Sequence, residues 1–570
     1  MTSKPEAGPS VAEAYLDLLA DRGVDYLFAN AGTDFAPIVE GLARGAVTGA
    51  KSPTPIIATH ENLAMSMAHG YAVVSGKLPA VMVHVSVGTA NGVCGVANAA
   101  RENVPILFTA GRTPIYEEDV LGARDSAIHW GQEMFDQASL VREFVKWDYE
   151  LRGGAQLATV VDRAISIATS EPKGPVYLSL PREVLAEDMP PAPATPRARR
   201  VAALPARPSE AGLAQAAEWI AAAKSPLFIA GNLGREAGAL ETLSDVAAWL
   251  AIPVVQNRSR YLALPASHPM HLGFDAGPHI GEADIVIVME SDVPWIPNTA
   301  KLRSDCKVIH VGHDALFGDI PIRGFQCDLA LTGSAPAFLK DLAALLAPKL
   351  DPKILDARRS AVAARREEML TGWRNEIARV KDMRPIHPAW ASHCIANAKT
   401  DDAIVVNEYT LMVEHCGFEK PTTFFASSSA SGLGWGMGAA LGAKLAAPDR
   451  LVIATLGDGA YIFANPVAGH YAAHQNDLPI LTVVFNNGMW NAVRRSTLTV
   501  YPDGYAAKSN SRMLSELGGL PAFEDVCTAS GGYGERVEDP AQLPAALARA
   551  IKVVMQEKRQ ALLNVICQPR

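Results

Sequence analysis

The chain has no uncharged apolar run long enough to cross a bilayer, so a membrane-spanning helix is not expected. No two of its seven cysteines are spaced as Cys-x-x-Cys, which removes the usual zinc-ribbon and dithiol motifs. Cys94, Cys306, Cys327, Cys394, Cys416, Cys527 and Cys567 are scattered and odd in number, and they read as reduced core residues of a cytoplasmic protein. A lysine- and arginine-rich stripe is also missing and the formal net charge is −9, which argues against nucleic acid as a partner. The opening MTSKPEAGPS leads into VAEAYLDLLADRGV, amphipathic and acid-bearing, unlike a signal or transit peptide.

What is present is a long, apolar, weakly charged chain. Its 570 residues exceed one ordinary core, and 49% hydrophobic with 19% charged residues suits several globular domains with large buried interfaces. Short apolar runs (Tyr26–Ala29, Ile56–Ala58, Ala80–His84, Ile106–Ala110, Val176–Leu180) alternate with Ala-rich helical patterns, the mark of parallel sheets covered on both faces. A proline-dense stretch interrupts them at 190–208. PLFIAG, PVVQN, ADIVIVM and CKVIHVG then form a second α/β block over 209–347. A charged helical stretch, Pro352 to Lys381, lies within a connecting segment, 348–388, that ends on RPIHP. AIVVNE, TTFFAS, RLVIATLGDG, LPILTVVFNNG and ALLNVICQP make a third block over 389–570. The expectation is α/β, with three doubly wound parallel-sheet domains (1–189, 209–347, 389–570) and two linkers; no short repeat is visible.

Chemistry concentrates in the third block. The strand RLVIATL runs into Gly457-Asp458-Gly459, and the strand LPILTVVF ends in Asn486-Asn487-Gly488. Both clusters fall at the carboxyl ends of strands, where open α/β sheets bind ligands. Glycines flanking Asp458 allow backbone to approach a phosphate, and the helix expected over YIFANPVAGHYAAHQN would aim free N–H groups at it. A carboxylate and an amide oxygen are hard ligands suited to Mg²⁺ beside a diphosphate. A bare tight turn after a strand would leave the same three residues. A second glycine-rich stretch, Ser431 to Gly438, lacks the preceding strand and following acid of a dinucleotide fingerprint.

With GDG followed by NN in strand context, the sequence resembles the thiamine diphosphate (ThDP)-dependent decarboxylase and acetolactate synthase family. The resemblance implies that Asp458, Asn487 and the main-chain carbonyl of Met489 ligate Mg²⁺, and that Gly457 and Gly459 flank the diphosphate. Leu433 would prop the cofactor in a bent form, the Ser431 carbonyl would accept from its 4′-amino group, and Thr410 in NEYT would touch the diphosphate. An ordinary core leucine is the plainer reading of Leu433. In THENLAMSMAHGYA, Glu61 opens an apolar helix; a first-turn acid favoured by the helix dipole accounts for it locally. The family's HE…A…GYA pattern instead implies that Glu61 exchanges a proton with the pyrimidine ring and so starts the C2-carbanion and enamine chemistry of ThDP.

Further stretches resemble the benzoylformate decarboxylase branch. NAGTDFAP places Thr33 where a substrate-facing hydroxyl is expected, and VMVHVSVGTANG places His84 as a proton shuttle or, alternatively, a structural histidine. HWGQEMFD puts Gln132 and Glu133 in the region of the family's active-site glutamine. Departures count too. Six residues after Asn487, where pyruvate decarboxylases carry an acid, stands Val493, and Met489, Trp490 and Val493 suggest a partly apolar pocket wall. The stretch ESDVPW lacks the arginine-containing sequence of FAD-binding acetolactate synthases, which argues against FAD.

The implied activity is ThDP- and Mg²⁺-dependent decarboxylation or carboligation of 2-oxo acids or aldehydes. A 2-hydroxyacyl-CoA lyase or oxalyl-CoA decarboxylase is the alternative; a non-catalytic relative and a Rossmann dehydrogenase fit the motifs less well. The resemblance also implies a homodimer or homotetramer with active sites at the subunit interface.

Overall fold

The computed structural model describes residues 8–190 and 201–569; most of the proline-dense segment lies outside them. Strands β1 (Tyr26–Asn30), β2 (Thr54–Ile57), β3 (Ala80–Val83), β4 (Leu107–Arg112), β5 (Asp148–Glu150) and β6 (Val176–Pro181) form one parallel sheet in the order β2-β1-β3-β4-β6-β5. Strands β7 (Pro226–Ala230), β8 (Val254–Val255), β9 (Ile285–Met289), β10 (Lys307–Gly312) and β11 (Leu329–Thr332) form a second, ordered β11-β10-β9-β7-β8. The third holds β12 (Ile404–Glu408), β13 (Phe424–Ala426), β14 (Val452–Gly457), β15 (Leu481–Asn486), β16 (Tyr533–Val537) and β17 (Ala561–Ile566), ordered β13-β12-β14-β15-β17-β16. All three sheets are parallel and doubly wound, as the alternation of apolar runs predicts.

The first and third sheets have the same topology, each running second, first, third, fourth, sixth, fifth strand. They also share one hydrophobic core, which runs from Phe28, Leu63 and Phe108 into Ile404, Trp435 and Leu456. Its centre is the crossing of the Glu61–Ser75 and Trp435–Ala446 helices. Small residues make the approach possible: a Cβ on Gly442 would lie 1.8 Å from the Met67 carbonyl oxygen, and one on Gly70 would lie 1.9 Å from that of Ala439. The Glu61–Ser75 helix is consequently buried almost all round, with no strongly polar face before its last turn.

The middle sheet has its own core and is tied to the first domain through a buried charge network. Arg260 meets Glu102 at 2.6 Å and Asp292 at 3.2 Å, and Arg235 meets Glu290 at 2.9 Å. Burial pushes the Glu102 carboxyl up to about 7 despite the guanidinium beside it. The Pro352–Val380 helix straps this domain from outside, with Arg358 donating to the carbonyls of Leu250 and Ala223. No helix among the described residues is long and apolar enough to cross a membrane, and all seven cysteines are unpaired.

One element departs from expectation. The helix expected after Gly459 is two helices, Asp458–Phe463 and Pro466–Gln475, parted at Asn465, which takes φ +53°. Pro466 lacks the N–H that would continue the first helix and instead opens the second.

Candidate active site

Strands β14 and β15 are neighbours, with Gly457 opposite Phe485, so the GDG and NN clusters end up side by side at one sheet edge. Asp458 begins its helix, 2% exposed, and Oδ1 accepts from the Gly459 N–H at 2.9 Å. Asp458 Oδ2 (3.2 Å) and Asn487 Oδ1 (3.0 Å) both accept from one group, the N–H of Met489. Burial pushes the Asp458 carboxyl above its ordinary range, against the backbone N–H groups that donate to it. Two oxygen donors converging on one point suit a hard divalent cation. Gly488, at φ +69°, makes the turn that brings Asn487 and Met489 back toward Asp458. Gly459 has no room for a side chain, since a Cβ there would lie 2.3 Å from the Trp490 ring. Trp490 is half-buried, Met489 is buried and Val493 is 48% exposed.

The glycine-rich turn lies behind this edge. Ser431 takes φ +56°, and Gly434, at φ +81°, leads into the Trp435–Ala446 helix. Glu408, wholly buried at the end of β12, accepts from the Gly434 N–H (2.8 Å) and the Gly436 N–H (2.7 Å). The helix N-terminus that a dinucleotide phosphate would need is therefore filled by the chain's own carboxylate. Burial holds that carboxyl up at about 7 against its N–H donors. Asn98 clamps the turn by exchanging two hydrogen bonds with the Gly432 peptide, and the Asn62 amide donates to the Leu433 carbonyl. Leu433 is half-buried. Thr410 Oγ1 is buried without a partner, an orphaned hydroxyl that a phosphate oxygen would satisfy.

In the first domain, His60 caps the Glu61–Ser75 helix, its ring accepting from the Asn62 N–H. Glu61 is 8% exposed, and each of its oxygens is held by an amide: Oε1 by Asn30 at 2.9 Å and Oε2 by Asn91 at 2.6 Å. His84 follows β3, as the sequence suggests, and precedes the Val85–Arg101 helix. Its Nδ1 lies 2.5 Å from Asp34 Oδ1, and its Nε2 lies 3.2 Å from Gln132 Nε2. The hydrogen bond to Asp34 is the main cause holding the imidazole above its ordinary pKa, against the opposing effect of burial. Thr33 is exposed at the start of the short Thr33–Phe35 turn. Glu133 points elsewhere, into ion pairs with Arg112 (2.7 Å) and Arg124 (2.6 Å).

Sequence reasoning passed over Asn30, Asp34, Asn91, Asn98 and Glu408. The signal for two of them was available: Asn30 closes an otherwise apolar strand, and Glu408 follows Asn407 at the end of another, both at the ligand-binding edge. Nothing local distinguished the helical Asn91 and Asn98, since their partners are distant in sequence.

Residues 9–140 match the family Thiamine pyrophosphate enzyme, N-terminal TPP binding domain. Residues 213–342 match its central domain, and 407–565 its C-terminal TPP binding domain. Sulfoacetaldehyde acetyltransferase of Alcaligenes xylosoxydans xylosoxydans is 25% identical, over 98% of this chain and 92% of that one. Benzoylformate decarboxylase of Pseudomonas aeruginosa is 26% identical, over 98% and 99%. The crystal structure of benzoylformate decarboxylase from Polynucleobacter necessarius superposes with a TM-score of 0.79 at 20% identity, covering 98% of this chain and 99% of that one. With all three domains matched in order, the chain belongs to the thiamine pyrophosphate enzyme family, as a ThDP-dependent enzyme of the decarboxylase and acetolactate synthase kind.

Proposed function

We propose that this enzyme uses Mg²⁺ with ThDP to break or form a carbon–carbon bond next to the carbonyl of a 2-oxo acid or aldehyde. The observation that carries the reading is the convergence of Asp458 and Asn487 on the single N–H of Met489, at the carboxyl ends of adjacent strands. Asp458, Asn487 and the Met489 carbonyl would hold the cation, while Gly457, Gly459 and the orphaned Thr410 hydroxyl would receive the diphosphate. Leu433 would support the bent cofactor, and the Ser431 carbonyl would accept from its amino group. When bound, ThDP supplies a nucleophilic carbon and an electron sink beside the substrate carbonyl.

The protein's own groups would do the rest. Glu61, fixed by Asn30 and Asn91, would pass a proton to and from the pyrimidine nitrogen. His84 would hold a proton at Nε2 for the substrate, with Gln132 beside it, and the exposed Thr33 would offer its hydroxyl to the substrate. Trp490 and Met489 would narrow the site and exclude water.

The active assembly in this reading is a dimer or a pair of dimers. Its support is an exposed apolar face beside Glu61: Ile57, Val87, Phe463, Val467 and Tyr471 are each about 40% exposed or more, and Thr59 and His60 form a groove with Pro466, Val467, Ala468 and Tyr471. Sedimentation of a fully active monomer would contradict it. The activity is tested by supplying ThDP, Mg²⁺ and a panel of 2-oxo acids, aldehydes and acyl-CoA thioesters, with CO₂ release and product mass as readouts. Turnover confined to the thioesters would move the assignment to a CoA-dependent lyase.

A further inference from the structure

Asp34 has no assigned role in the proposed chemistry, yet it is buried directly against His84. It is 3% exposed, and Oδ2 also accepts from the Val85 N–H at 3.4 Å, at the start of the helix that His84 precedes. Val85 itself takes φ +34°, a conformation a β-branched residue adopts only when its surroundings impose it. Two glycines keep room for the pair. A Cβ on Gly111 would lie 1.7 Å from Asp34 Oδ2, and one on Gly32 would lie 2.2 Å from His84 Nδ1. On the far side of the ring, Gln132 is anchored by its main-chain carbonyl, which accepts from the Ser86 hydroxyl at 2.7 Å. Its side-chain Oε1 is buried without a partner.

We propose that Asp34 is a positioning residue: it binds the Nδ1–H of His84 in both protonation states, so that Nε2 alone carries the working proton and Gln132 turns to follow it. This rests on the proposed placing of His84 at the reacting centre. A carboxylate only accepts, so the proton of a neutral imidazole facing it sits on Nδ1, leaving Nε2 bare toward the Gln132 NH₂. When Nε2 is protonated, rotation of the Gln132 amide brings the unpartnered Oε1 round to accept from it. On delivery, the Nε2 proton passes to the reacting atom of the substrate, the N–H electron pair stays on Nε2, and solvent later restores the proton. Asp34, from the Thr33–Phe35 turn, Gln132, and Glu61, from its helix, favour the imidazolium and burial opposes it, while the charge on His84 adds to the burial that holds His129 of the Ile128–Gly131 helix below its ordinary pKa. The balance keeps His84 protonated to higher pH than a free imidazole, and its proton is lost as pH rises through that raised value.

The test follows His84 by nitrogen NMR in the histidine-labelled, cofactor-free protein, and follows kcat against pH in the holoenzyme. In the parent protein, Nδ1 stays protonated throughout the titration. Asp34→Asn lowers the titration midpoint by a unit or more, moves the alkaline limb of kcat down by the same amount, and reduces kcat about 10²- to 10⁴-fold while KM changes little. Asp34→Glu restores part of both, and adding Asp34→Asn to His84→Ala costs nothing further. Gly111→Ala, which displaces the carboxylate without removing it, repeats the loss if Asp34→Asn folds poorly. An unchanged midpoint and tautomer in both Asp34→Asn and Gly111→Ala overturn the proposal, as does full additivity with His84→Ala. Failure of the underlying reading is separate: it would appear as normal turnover by His84→Ala, whatever the NMR shows.

Discussion

Replacing Glu61 by glutamine separates proton chemistry from architecture. The side chain keeps its size, and both of its present partners are amides, at 2.9 and 2.6 Å, that can rotate to offer an oxygen where the new NH₂ needs one. The exchange of one charged for one neutral hydrogen-bonded group therefore costs the fold about 1 kcal/mol or less. The cost to the reaction is of another size. Positioned proton transfer is worth about 10²–10⁴ in rate, or roughly 2.7–5.5 kcal/mol of barrier. Glu61→Gln should thus bind ThDP and Mg²⁺, measured by quenching of tryptophan fluorescence, with its urea midpoint nearly unchanged, while single-turnover kcat falls at least a hundredfold. Retention of parental turnover by the loaded variant would refute the reasoning, and a large loss of stability would show that the two amides hold more than a proton relay.

Asp458→Asn should unfold at an unchanged temperature without ligand but lose the rise in unfolding temperature that Mg²⁺ adds to ThDP, a gain of about 2.7 kcal/mol at a hundred times Kd; an equal rise in both proteins would remove Asp458 from the metal site. Gly442→Ala must move a Cβ away from the Met67 carbonyl oxygen now 1.8 Å from where it would stand, forcing the two central helices apart. It should cost about 3 kcal/mol, read as a lower urea midpoint, and an unaffected midpoint would show the crossing to be loose. Glu408, ordinarily near 4.5 but held up at about 7 by burial, binds a proton in the folded chain that the unfolded chain has already released. Stability should therefore fall as pH rises from about 4.5 to 7, more steeply in the parent than in Glu408→Gln, and parallel pH profiles of urea midpoints would contradict this.

Much of the fold was legible because parallel strands buried on both faces must be continuously apolar, and PLFIAG, RLVIATL or LPILTVVF can be little else. Three strands escaped that reading: β5, β11 and β16. Each lies at a sheet edge, where one side is open and the run need not be apolar: DYE buries no residue, and LALT and YGERV bury one each, Leu331 and Val537. The shared topology of the first and third sheets was equally invisible, because strand order leaves no mark on residue identity.

The same division runs through the site. The sequence by itself determined which candidates for the chemistry can be picked out locally: the GDG turn, the paired asparagines, Glu61 at a helix start and His84 at a strand end. Those signals are local because a turn, a cap or a strand end constrains its own few residues. Only the tertiary structure decided what holds them. Asn30 and Asn91 on Glu61, Asp34 on His84, and Asn98 and Glu408 on the glycine-rich turn are joined across β-α-β crossovers and between domains, where chain separation erases any pattern of spacing.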